Sequence, residues 1–144
     1  MHKKIIDTEL VKIKKENLMI GDYVAVVLYV DGKVVKTEFV EIKEGADIDA
    51  ADDGLYSPIP LEKDMFVKNS WVCDDGYAHL KLDEHIRLEY YFHEHRLRRI
   101  FEGIDEWENH SRVRDVTDQC HCYYVNEMQH ALKMCGVCDK TFKP

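Results

Sequence analysis

One stretch of the sequence, YYVNEMQHALKMCG at residues 123–136, decides how the rest of the chain is organised. Its apolar residues recur at intervals of three and four positions, which places them along one side of a helix: Val125, Met128, Leu132 and Cys135. Gly136 follows the last of them, where glycine readily adopts the left-handed conformation that ends a helix. The stretch therefore predicts a helix over residues 123–135.

A helix of this length is marginally stable alone and must bury its apolar side against another element. The segments before it are typical of strands, so we expect a sheet to receive it. The apolar side should contact the second predicted hairpin, near Leu80, Leu88 and Tyr90. The polar side, which includes His130 and Lys133, should be exposed and should contribute little to stability.

The first hairpin is indicated by Asp31-Gly32, a dipeptide that favours a two-residue turn between antiparallel strands. Folding the chain at this turn sets Val24 opposite Phe39. The alternation of side chains then predicts one apolar face, made of Val24, Val26, Leu28, Val30, Val35 and Phe39. The second hairpin pairs residues 77–82 with 86–92 and sets Leu80 against Leu88.

The remaining segments complete an α+β domain. Residues 97–101 and 111–116 have the pattern of a third hairpin, although Ile100, Ile104 and Trp107 also fit the spacing of a helix. Residues 61–69 have the pattern of a short helix, and the acidic segment 44–57 that of a loop. We expect one α+β domain over residues 1–144, with a mainly antiparallel, strongly bent sheet that could close like a barrel at its N-terminal end. The C-terminal helix and the short central helix would pack on this sheet.

The charge balance argues against one class of partner. The 144 residues carry a net charge of -8, whereas a duplex nucleic-acid binder needs positive charge to neutralise phosphates. Basic residues cluster only locally, at Lys12, Lys14 and Lys15 and at Arg96, Arg98 and Arg99. Because the chain has neither an apolar run of about eighteen residues nor a signal-peptide pattern, we expect a cytoplasmic protein that does not span a membrane.

Four of the five cysteines have the spacing of a zinc site, CxC followed by CxxC: Cys120, Cys122, Cys135 and Cys138. The predicted helix lies between the two pairs and would hold them about 18–20 Å apart, at about 1.5 Å per residue. The ligands of one zinc ion must lie within about 4 Å of each other. The helix and a zinc site therefore exclude each other, and the odd cysteine count indicates reduced thiols.

A second group of candidates is rich in histidine. The alternation of a strand would put six side chains on one face: His85, Arg87, Glu89, Tyr91, His93 and His95. His93 and His95 could bind a metal ion, or one of them could act in acid–base chemistry near neutral pH. The alternative is the solvated face of an antiparallel strand. Because no nucleophile–base pair or phosphate-binding loop accompanies them, we expect no catalytic residue and no cofactor.

Three segments resemble the motifs of an uncharacterised protein family of gut Bacteroidetes: LMIGDYV at residues 18–24, PIPLEKDMF at 58–66 and YVNEMQHAL at 124–132. Members of that family are often encoded by prophages or other mobile elements. The resemblance covers about a third of the chain and implies a genetic setting without a mechanism. Asn126 stands where the family usually has histidine, which weakens a catalytic role for that position.

Three hypotheses for function follow from the sequence. The first is a small cytoplasmic binding or accessory protein, encoded by a mobile element or phage, that acts through contacts with a protein partner. The second is a metal-dependent enzyme that uses His93, His95 and a carboxylate such as Glu89 or Glu94. The third is a nucleic-acid-associated protein that uses the arginines at positions 96, 98 and 99.

Overall fold

The computed structural model describes residues 11–105, 111–137 and 142–144. Over these residues the chain forms two antiparallel sheets and three α-helices, so the predicted α+β class is confirmed. The predicted single, barrel-like sheet is wrong, because the described strands form a three-stranded and a five-stranded sheet, neither closed on itself. The first sheet ends before Pro58, which has no N–H to donate to a strand ladder.

The first sheet contains β1 (Tyr23–Val30), β2 (Lys33–Glu41) and β3 (Tyr56–Ser57), with β1 in the centre. The turn between β1 and β2 lies at Asp31 and Gly32, whose φ angles are 52° and 75°. A turn with two positive φ angles matches the twist of the strands that it joins. The predicted hairpin is therefore confirmed.

The predicted register of this hairpin is wrong away from the turn. Val30 pairs with Lys33 as expected, but an irregularity after Leu28 shifts the pairing by one residue. Val24 consequently lies opposite Val40, and Phe39 lies opposite Ala25. A shift of one residue moves a side chain to the other face of a sheet. For this reason the predicted apolar face does not form, and Phe39 is exposed.

The second sheet contains five strands in chain order, each antiparallel to the next. They are β4 (Val72–Cys73), β5 (Tyr77–Lys81), β6 (Ile86–Tyr91), β7 (Arg96–Asp105) and β8 (Ser111–His121). Leu80 pairs with Leu88, as predicted for the second hairpin. The third predicted hairpin is also confirmed, and its strands are longer than the sequence pattern suggested.

The helices are α1 (Gly45–Asp49), α2 (Lys63–Lys68) and α3 (Val125–Met134). The predictions for α2 and α3 are confirmed within a few residues, whereas the prediction of a loop over residues 44–57 is wrong. The Asp47 carboxylate accepts hydrogen bonds from the backbone N–H groups of Lys43 and Glu44, at 2.9 and 3.0 Å. These bonds satisfy donors at the start of α1 that the helix itself leaves without a partner.

The core lies between α2, α3 and one face of the second sheet. Val125, Met128 and Leu132 belong to the same buried cluster as Leu88 and Tyr90, which confirms the predicted packing of α3. A smaller cluster lies beside the first sheet and contains Ile13, Leu18, Val24, Ile42, Ala51 and Tyr56. Among the described helices, none is long and apolar enough to cross a membrane.

Candidate functional site

The polar side of α3 is attached to the segment that precedes β1. Nε2 of His130 lies 2.7 Å from Oδ2 and 2.9 Å from Oδ1 of Asp22, a carboxylate with no exposed surface. The backbone N–H of Met19 donates a further hydrogen bond to Asp22. The expectation that His130 is simply exposed is therefore wrong. Its partner Asp22 comes from a distant part of the chain, so the sequence of α3 gives no sign of this contact.

Gln129 makes a second connection between the same elements. Its side-chain oxygen accepts a hydrogen bond from the Tyr23 N–H, and its amide nitrogen donates one to the Gly21 carbonyl, both at 2.9 Å. Asn126 is also buried, and among the described residues its Oδ1 has no hydrogen-bond partner. Three polar residues of α3 therefore face protein, and the side predicted to be solvated is only partly so.

The central segment completes this junction. The backbone N–H of Leu61 donates to the Tyr123 carbonyl, the N–H of Val125 donates to the Ile59 carbonyl, and Pro60 bridges to Tyr124. Of the three segments that carry the family resemblance, the one at residues 124–132 thus contacts both others. These contacts are packing and backbone hydrogen bonds, as expected of structural motifs.

A different surface carries a cluster of charged and aromatic side chains. Strand pairing places a larger set of residues on the side of the second sheet that faces away from α3, and we call nine charged and aromatic members of this set the arginine–tyrosine face. It consists of Tyr77, His79, Arg87, Glu89, Tyr91, Arg96, Arg98, Glu102 and Arg114.

Glu89 lies at the centre of the arginine–tyrosine face and is only 1% exposed. One of its oxygens accepts hydrogen bonds from the Tyr91 hydroxyl at 2.5 Å and from Arg114 at 2.6 Å. The other oxygen accepts from Nε and Nη2 of Arg87. A buried carboxylate normally loses its charge unless it is paired, and here four donor atoms hold it.

The ionisation of Glu89 follows from these contacts. Burial alone raises the pKa of Glu89, but the hydrogen bonds from Tyr91, Arg87 and Arg114 outweigh burial and hold the pKa below its ordinary value. Burial lowers the pKa of Arg87, and the bonds to Glu89 more than reverse this effect. Glu89 is therefore a charged anchor that fixes the two arginines in position.

Aromatic rings and a further arginine extend the face toward the end of β6. The rings of Tyr77 and Tyr91 stack with centroids 5.6 Å apart, and the Arg98 guanidinium lies 4.7 Å from the centroid of Tyr91. Arg96 and Arg98 both approach the same Glu94 oxygen, at 3.8 and 3.4 Å. These long contacts with an exposed carboxylate leave both guanidinium groups available to another anion.

The two predicted histidine ligands do not lie on the strand that carries Glu89. Strand β6 ends at Tyr91, so His93 and His95 lie in the following turn. The His95 ring stacks on Tyr123 with centroids 4.7 Å apart, and its Nδ1 lies 3.4 Å from the hydroxyl of the core residue Tyr90. A positive φ of 51° at His95 turns the chain there, which breaks the alternation that the sequence pattern assumed.

The basic cluster of the third hypothesis is also divided. Arg96 and Arg98 lie on the arginine–tyrosine face, as do Arg87 and Arg114. Arg99 points to the other side of β7 and lines a groove beside α3. Neighbouring residues of a strand project to opposite faces, so three arginines within four positions cannot form one patch.

The cysteines are closer together than the sequence predicted. The Sγ atoms of Cys120 and Cys122 are 3.9 Å apart, and Cys120 and Cys135 line one groove of about 170 Å³. Because α3 turns back over the second sheet, the separation estimated from its length is wrong for Cys120 and Cys135. Cys138 lies outside the described residues.

No group of three or more His, Cys, Asp or Glu side chains is arranged to hold a metal ion within residues 11–105, 111–137 and 142–144. Sequence reasoning placed Glu89 on the correct strand face but did not identify its burial or its bond to Arg114. It missed Asp22 and Gln129 as partners in the junction. The only signal for these two residues in the sequence was their position as polar residues within two of the resembling motifs.

Comparison with known proteins adds no relative: no family model, no curated protein and no solved structure matches this chain.

Proposed function

We propose that this protein is a small, non-enzymatic binding protein that acts through contacts with another protein. The binding surface is the arginine–tyrosine face, and its ligand is an acidic segment of the partner. The observation that carries this proposal is the concentration of arginine and tyrosine around the buried Glu89.

The charge of the face supports an acidic ligand. The four arginines of the face have three glutamates beside them, Glu89, Glu102 and Glu94, so this surface is locally positive although the whole chain has a net charge of -8. Arg87 and Arg114 are occupied by Glu89, and each also has Glu102 at 3.5 Å. A carboxylate of the partner would replace the loosely held Glu94 and form shorter bonds with Arg96 and Arg98.

The rigidity of the face supports a protein ligand. Tyrosine and arginine are enriched among the residues that carry the binding energy of protein interfaces. Tyr91 is held by its hydroxyl bond to Glu89, by the Tyr77 ring and by Arg98 above it. Side chains that are ordered before binding lose less conformational entropy when the partner arrives, so more of the contact energy appears as affinity.

A nucleic-acid ligand would use the same arginines but is less well supported. The acidic chain repels a phosphate backbone at long range, and two of the four arginines already neutralise Glu89.

We further propose that the protein acts in the cytoplasm and belongs to the mobile-element family that its motifs resemble. The support for this setting is the sequence resemblance of the three segments, of which the one at residues 124–132 contacts both others.

Site-specific photo-crosslinking in the native host tests the binding surface. A photoreactive residue replaces Lys81, which is exposed and pairs with Arg87 at the edge of the face. The control replaces Lys36, which is exposed on β2 of the other sheet. We expect one protein with an acidic segment to be captured from position 81 and not from position 36.

Charge-reversal substitutions then distinguish binding at this face from a general effect of the charge of the protein. Arg98→Glu should abolish capture from position 81, whereas Lys68→Glu, on exposed α2, should leave it unchanged. Equal capture from both positions, or capture that survives Arg98→Glu, would exclude this face as the binding surface. Recovery of nucleic acid in place of a protein would replace the proposal with the third hypothesis.

A further inference from the structure

The thiol pair at the end of β8 is not used by the proposed binding surface. Cys120 and Cys122 are both reduced, with Sγ atoms 3.9 Å apart. The two residues differ in access, since Cys120 is exposed and Cys122 is only 1% exposed. A reachable thiol beside a protected thiol is the arrangement that allows one to be modified and the other to react second.

The surroundings of the pair distinguish the two thiols chemically. Burial raises the pKa of the Cys122 thiol, and the neighbouring Cys120 raises it further. Two hydrogen bonds also hold the backbone of Cys122. Its N–H donates to the His95 carbonyl, and its carbonyl accepts from the Tyr90 hydroxyl. Cys122 is thus fixed in place, and Cys120 is the thiol that a solute reaches first.

The groove in front of Cys120 has room for a small molecule. It has a volume of about 170 Å³ and is lined by Leu97, Arg99, Asp118, Ala131, Met134 and Cys135, among others. The Arg99 guanidinium provides a positive charge within this groove, where Asp118 is a loosely held partner at 3.9 Å. A small disulfide that carries carboxylates, as glutathione does, would therefore find an electrostatic partner beside the reactive sulfur.

We propose that Cys120 is a site of reversible S-thiolation by low-molecular-weight disulfides and that Cys122 resolves the adduct. In the first step the Cys120 thiolate attacks one sulfur of the small disulfide, a new S–S bond forms, and one thiolate leaves. In the second step Cys122 releases its proton to solvent, its thiolate attacks the Cys120 sulfur, and the second small thiolate leaves. The two protein thiols are oxidised to one disulfide, the small disulfide is reduced to two thiols, and those thiols take up the two released protons.

The spacing of the two residues would make this bond labile. Cys120 lies near the end of β8 and Cys122 directly after it, and residues two apart on an extended chain are separated by about 6.6 Å, near the upper limit of about 6.8 Å for the Cα atoms of a disulfide. A disulfide formed there would be strained, and strained disulfides are reduced readily. The site is consequently suited to a modification that is reversed, and this inference stands independently of the proposed partner.

Peptide mapping after treatment with oxidised glutathione tests the proposal. The tryptic peptide over residues 115–133 contains Cys120 and Cys122 and no other cysteine, and the peptide over residues 134–140 contains Cys135 and Cys138. After unreacted thiols are blocked with N-ethylmaleimide, peptide 115–133 should be two hydrogens lighter and carry no maleimide. A thiol reductant added before blocking should restore both maleimide additions. A time course should show a glutathione adduct on Cys120 before the disulfide.

Single substitutions show which cysteine acts in each of the two steps. Cys122→Ser should trap glutathione on Cys120, Cys120→Ser should leave peptide 115–133 free of glutathione, and Cys135→Ser should behave like wild type. Maleimide on both thiols of the treated wild-type peptide would overturn the proposal, as would a glutathione adduct that persists there. If Cys122→Ser does not fold, the order of adduct and disulfide in the wild-type time course decides the outcome alone.

Discussion

His130 and Asp22, which are 108 positions apart in the sequence, form a hydrogen-bonded pair in which Nε2 lies 2.7 Å from the buried Oδ2. The pair connects α3 to the start of β1. It replaces the water that would otherwise solvate Asp22, because this carboxylate has no exposed surface. The polar side of α3 is therefore part of the folded interior at this point.

Replacement of His130 should destabilise the fold. In His130→Ala the buried Asp22 keeps only the Met19 N–H among the hydrogen bonds described above, and an incompletely paired buried acceptor costs about 1–3 kcal/mol. Urea denaturation measures this loss directly. Lys133→Ala, at an exposed position of the same helix, should change the midpoint little. A midpoint for His130→Ala equal to that of Lys133→Ala would show that the pair contributes nothing.

The apolar side of α3 gives a matched prediction. Leu132 is 4% exposed within the main core, so Leu132→Ala should leave a cavity and cost about 2–5 kcal/mol. Met134, two residues later, is 89% exposed, and Met134→Ala should have almost no effect on the urea midpoint. Equal effects of the two substitutions would mean that α3 is rotated about its axis in solution.

Glu89 should make stability depend on pH in the acidic range. Because the folded-state pKa of Glu89 is below its ordinary value of 4.5, its contribution is fully present above that value. The contribution is lost as the pH falls through the folded-state pKa. At pH 7, Glu89→Gln should be less stable than wild type by about 2 kcal/mol, from the lost charged hydrogen bonds. Denaturation from pH 7 to pH 2 should show this difference shrinking below about pH 4.5. A constant difference would contradict the assignment.

The Tyr90 hydroxyl should stabilise the connection between β8 and α3. It donates a buried hydrogen bond of 2.6 Å to the Cys122 carbonyl, and burial raises the pKa of Tyr90, which keeps the donor protonated. Tyr90→Phe preserves the ring but leaves that carbonyl without this donor, at a cost of about 1–3 kcal/mol. Tyr123→Phe, at an exposed ring, is the control for thermal unfolding. Equal melting temperatures for the two variants would rule out a stabilising role.

Local sequence patterns predicted which strands and helices form more reliably than they predicted how the strands pair. Asp31-Gly32 was sufficient to identify the first hairpin, because a two-residue turn depends on the residues within it. The pairing beyond Leu28 could not be predicted, because an inserted residue depends on how the whole strand packs. The second hairpin kept its expected pairing, since Leu80 and Leu88 have no such interruption between them.

By itself the sequence determined the α+β class, the helix at Val125–Met134 and the side of it that is buried. These features follow from periodicity and turn chemistry, which act over a few neighbouring residues. Only the tertiary structure decided which polar residues are buried, because the partner of His130 lies 108 residues away and the Arg114 that completes the Glu89 site comes from another strand. Hydrogen bonds between distant segments depend on how the elements pack. No spacing along one segment carries that information.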